Sequence, residues 1–174
     1  MTGSTVYIAM PIAEALVTWI HITCSSIWVG GSIFLGIVLA PALKIEVPIA
    51  KDRLLLMIKF GRRFNLIAIP SFVLLIGTGI YNSRSFLVDP EILWQTQYGQ
   101  LLLVKVILVI IVIAAYAFHI RVVNKETEQK LATTTVDEMY INNLRSKISI
   151  LGRMIVVLSV AILLLASLLN SGGF

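Results

Sequence analysis

Two histidines, His21 and His119, are the only imidazoles in the chain, and both fall within long apolar stretches. Ionisable groups placed among apolar residues are costly, about 2.5–3.5 kcal/mol each on insertion scales, so they are kept where they do something. The full set is Glu14, His21, Lys105, His119 and Arg153. Around His21, the polar or amphipathic residues Glu14, Thr18, Ser25, Trp28 and Ser32 recur at steps of three and four. That spacing lines up one narrow stripe of a helix. Tyr98, Lys105, Tyr116 and His119 form a second stripe. A deep imidazole on such a stripe is suited to holding a metal ion or the iron of a haem. Cys24, Met10 and Met154 add sulfur donors of the kind that Cu(I) prefers, although the methionines are scattered and Cys24 points about 60° away from His21.

Each of these residues also has a plain structural reading. Glu14 serves equally as an interfacial residue paired with Lys105 or with headgroups. Lys105 can snorkel outward, and His119, followed by Arg121, fits a membrane boundary. Arg63 and Arg153 fit charged anchors, and Trp28 and the tyrosines fit packing. No nucleophile–base set, phosphate loop or zinc motif is present, so hydrolytic and phosphoryl-transfer chemistry are not expected.

The elements that must position these residues are membrane helices. The chain has 174 residues, 58% of them hydrophobic, with a mean hydropathy of +0.94. Soluble domains are roughly 45–50% apolar. The excess lies in four runs, each near the ~20 residues needed to cross a bilayer. The expected fold is an all-α integral membrane four-helix bundle forming a single domain, with helices over about 12–40, 64–81, 100–123 and 148–169. A further interfacial amphipathic helix is expected over about 49–63, where charge alternates with Leu, Ile and Met. The first run is too long for a signal peptide and is expected to be retained.

The charge of +5 is explained by orientation and does not call for a nucleic-acid partner. Residues 41–63 hold six Lys or Arg and residues 120–147 hold five, whereas the 82–99 loop holds only Arg84. The positive-inside rule then places both basic segments in the cytoplasm, with the N and C termini outside, in a multi-pass protein of the plasma membrane. At 1.5 Å per residue, His21 lies ~15 Å and Lys105 ~9 Å from the outer entry, and His119 ~30 Å. Glu14, His21 and Lys105 are therefore expected within reach of one another, with His119 near Arg153 and Met154 at the inner side. The ~15 Å offset between the histidines argues against both ligating one haem.

These residues carry a resemblance. His21-I-T-C-S-S-I-Trp28-V-Gly30-Gly31-S-I-Phe34 with Pro41, then Arg62-Arg63-Phe64 leading to Gly77-T-Gly79-I-Tyr81, then Tyr98-Gly99-Q-L-L-L-V-Lys105, resemble the first three helices of the copper resistance protein D (CopD) family. The resemblance implies copper handling, with copper passed between the outside and the cytoplasm. His21 would be the lead ligand, helped by Cys24 or Met10 and closed by Trp28, and His119 with Met154 would be an inner relay. The four-helix module is also similar to the HemJ type of protoporphyrinogen oxidase, through His21, Lys105 and His119. That similarity implies haem b, with His21 as axial ligand and Lys105, Trp28 and Tyr116 around the ring. A third reading is an accessory subunit of a larger membrane complex, and four helices are thin walls for a conduit unless the chain forms a homo-oligomer.

Overall fold

The computed structural model describes residues 3–84, 91–133 and 136–170, with the side chains of residues 3–11 and 92 excepted. The described chain is helical, without strands. Helix α1 spans Gly3–Ile33 and passes through a π-helical segment, Phe34–Leu39, into α2, Ala40–Glu46. Helix α3 spans Ala50–Asn82, α4 is the short Glu91–Gln95, α5 is Gln97–Val122, α6 is Lys125–Thr133 and α7 is Glu138–Asn170. Four of the helices are long and apolar enough to cross a membrane.

The contacts set an up-down-up-down arrangement. His21 meets Thr78 and Gly31 meets Phe64, so α1 and α3 are antiparallel. Trp28 meets Ser159, which orients α7 against α1. Tyr116 and Val123 of the α5 end meet Asn65 and Gly61 of α3. The start of α1 and the end of α7 therefore lie at the same end of the bundle, and the basic segments lie at the other.

Residues 49–63 were expected to form an interfacial helix leading into the second span; in the structure they are the first turns of that same helix. One helix runs unbroken from Ala50 to Asn82, past Pro70. At 1.5 Å per residue it is about 50 Å long, so ~20 Å extends beyond a ~30 Å hydrocarbon core. The apolar residues of that extension are covered by protein: Leu54 and Ile58 pack with Val123, Leu131, Ile141 and Leu144. The polar stretch after α5 supplies the cover. Asn124 caps α6, its Oδ1 accepting from the Thr127 amide at 2.7 Å. Helix α6 then lays Leu131 into the cluster, and the Arg62–Glu128 ion pair ties it to α3. Pro41, expected to close the first helix, instead follows directly on the π turn, and the chain stays helical to Glu46.

In the membrane-spanning part a second core forms around rings. Trp28 stacks on Phe72 with centroids 4.2 Å apart, and Tyr116 meets Trp28 edge-on at 4.6 Å. Val29, Ala68, Val112, Ala115 and Ile155 complete it. Gly31 is needed here: a Cβ on it would fall 2.2 Å from Cε2 of Phe64, so only a bare backbone lets the ring lie against α1.

Candidate functional site

His21 sits on α1 facing the last turns of α3. The hydroxyl of Thr78 donates to the Leu74 carbonyl at 2.7 Å, as hydroxyls in apolar helices commonly do. A hydroxyl has one proton, so toward His21 the Thr78 oxygen is an acceptor, and it takes a hydrogen bond from Nδ1–H at 2.8 Å. The ring lies over Gly79, where a Cβ would stand in ordinary contact, 3.4 Å from Cε1. The tautomer this assigns leaves Nε2 with its lone pair, and a second-shell partner that fixes one ring nitrogen and frees the other is the usual support of a metal-binding histidine. The His21 ring also lines a pocket of about 180 Å³ with Ile22, Ser25 and Ser26 of α1 and Leu163 and Ala166 of α7.

The other expected site residues are distributed over the molecule. Lys105 is half-buried and close enough to act electrostatically on the His21 ring. Glu14, expected to pair with Lys105 or headgroups, accepts from Arg84 at 2.8 Å, with both side chains at least half exposed. Cys24 is buried and its thiol is free. Trp28 is 2% exposed, its Nε1–H donating to Ser159 at 3.0 Å, and Tyr116 donates from its hydroxyl to Asn65 at 2.9 Å. Both rings are thus packed against each other and hydrogen-bonded in the interior. His119 is on the Val112–Tyr116–Val123 face of α5, between the two cores, and its Nδ1 is buried with no hydrogen-bond partner among the described residues. Met154 and Arg153 are exposed on α7, and Arg63 is exposed on α3. Met10 lies among residues whose side chains are outside the described set. Among the described residues, no three of His, Cys, Asp or Glu come together as a metal cage.

Sequence reasoning did not single out Thr78, Ser26, Leu163 or Ala166. The signal for Thr78 was present in Gly77-Thr78-Gly79, a hydroxyl flanked by two residues that allow close approach.

The CopD family model, copper resistance protein D, matches residues 58–169, well over half of the chain. This chain belongs to the copper resistance protein D family. With four helices able to cross a bilayer, it is a multi-pass membrane protein. No curated protein and no solved structure matches the chain. The CopD match takes in Thr78, Lys105, Tyr116, His119, Arg153 and Met154, and begins after α1, so His21 and Trp28 stand outside it.

Proposed function

We propose that this CopD-family protein carries copper ions across the plasma membrane, taking them up transiently at His21. The observation behind this is the Thr78–His21 hydrogen bond, which leaves Nε2 as the free donor beside a pocket lined by two serine hydroxyls. One imidazole with hydroxyl neighbours, and the Lys105 charge close by, makes a weak cation site, one suited to passing an ion on. A stable centre would need more soft donors than Cys24 alone adds. Met10 would help at the entry, and His119 with its unpaired Nδ1 and the exposed Met154 would serve as the relay at the other end.

The path does not run through the middle of the bundle, because Trp28, Phe72 and Tyr116 fill it. The groove where α1 meets α7 is the alternative, and a homo-oligomer would wall it from lipid. The single domain is oriented with both termini outside and both basic segments in the cytoplasm, following the eleven-to-one distribution of Lys and Arg.

Purified protein titrated with Cu(I) should bind it, and His21→Ala should abolish that binding together with copper tolerance in cells. Thr78→Val should weaken binding by about 10–100-fold. Unchanged copper accumulation and tolerance in His21→Ala would sink the reading. A Soret band lost in the same variant would favour the second reading, haem b held at His21 with Lys105 beside it, which rests on the proximity of those two side chains.

A further inference from the structure

Helix α7 is 33 residues long, about 50 Å, and therefore overruns a ~30 Å hydrocarbon core by ~20 Å. Its last two-thirds are apolar, so the overrun is at the basic end and the boundary falls near Ile150 to Arg153. Across that boundary a shallow, open groove lies along the outer surface of the helix. It is lined by Asn142, Arg145, Ser146, Ser149, Ile150 and Arg153, all from α7. At 100° per residue these six fall within an arc of about 140°.

Two arginines share this face. Arg62 and Arg84 are neutralised by Glu128 and Glu14, whereas Arg145 and Arg153 are exposed and form no ion pair among the described residues. Arg153 starts within the apolar part of the helix, where an isolated cation is costly unless its long stem carries the guanidinium to the headgroup level. Ser149 lies one turn from each arginine, and Ser146 and Asn142 add neutral donors. Two planar guanidiniums with hydroxyls between them match a phosphate diester, which they can grip bidentately. The acid on the same stripe, Glu138, lies about 10 Å beyond Arg145, away from the bilayer, so its repulsion falls on the water side of the site.

We propose that this face of α7 binds the phosphate of one anionic lipid headgroup, with Arg153 below the phosphate, Arg145 above it and the serines alongside. The site is separate from His21 and would stand whether or not copper binds there.

Native mass spectrometry of the full chain in mild detergent, with added phosphatidylglycerol or phosphatidylcholine, tests it. The wild type should retain one phosphatidylglycerol in preference to phosphatidylcholine. Arg145→Gln/Arg153→Gln should bind it about 30-fold more weakly, and Arg84→Gln, at the opposite end, should bind as wild type. Where the glutamine pair fails to fold, Arg145→Lys/Arg153→Lys decides: it should keep a reduced preference for the anionic lipid. The proposal is overturned by equal retention of the two lipids, by unchanged binding in the glutamine pair, or by displacement of the lipid with millimolar inorganic phosphate. It is also overturned if the lipid-free wild type is a dimer that the glutamine pair dissociates, which would make a second copy the occupant.

Discussion

The ring cluster around Trp28 and the aliphatic cluster around Leu131 share helices α3, α5 and α7, with α1 added to the first and α6 to the second, yet they differ in what holds them together. The first joins stacked and edge-on rings, small residues and two buried hydrogen bonds, Trp28 to Ser159 and Tyr116 to Asn65. The buried members of the second are Leu, Ile and Val, with an ion pair at its margin. Their surroundings account for this. Between helices in lipid, hiding an apolar side chain gains little, because the lipid tails are equally apolar, so association depends on close fit and hydrogen bonds. Beyond the bilayer water returns, and burying aliphatic side chains becomes favourable again. The extension of α3, the short α6 and the first turns of α7 thus form a small aliphatic core at the basic end of the bundle.

The contrast can be tested by substitution, and the largest effect belongs to the ring cluster. Trp28→Ala should destabilise the protein by about 3–5 kcal/mol in thermal unfolding in detergent, whereas Trp28→Phe, which keeps a stacked ring and loses the bond to Ser159, should cost about 1 kcal/mol. Leu131→Ala should cost about 2–4 kcal/mol in the same assay, against about 0.5 kcal/mol for the exposed Leu164→Ala. Equal costs for Leu131 and Leu164 would mean that the second cluster is no core. Gly31→Ala, which forces the Phe64 ring to move, should cost about 1–3 kcal/mol. Arg62→Gln should cost under about 1 kcal/mol, and the difference should shrink as salt is raised.

The four apolar runs were legible because hydropathy alone marks them, and the stripe through Glu14, His21 and Trp28 did place those residues on one side of α1. What the stripe could not convey was that its members have different jobs: Glu14 meets Arg84, His21 meets Thr78 and Trp28 joins a core. Those partners lie on other helices, and a shift of one residue in helix pairing would replace all of them. The continuity of residues 49–63 with the second span was hard to read for a related reason. Lys51, Asp52, Arg53, Lys59, Arg62 and Arg63 look the same in sequence on a helix floating at an interface as on a stem standing in water. Leu131, Ile141 and Leu144 decide between the two, and they lie some seventy or more residues downstream of Leu54 and Ile58.

The π turn at Phe34–Leu39 bears on how this first helix can vary. The amide of Ala40 bonds back to the Leu35 carbonyl, five residues earlier, so one residue more than an α-turn holds is taken up there. A helix without that slack would swing everything beyond it by about 100° for each residue gained or lost. Here the extra residue offsets, by about 100°, the face of the segment Ala40–Glu46 that leads to α3 relative to the face of α1 that carries His21 and Trp28.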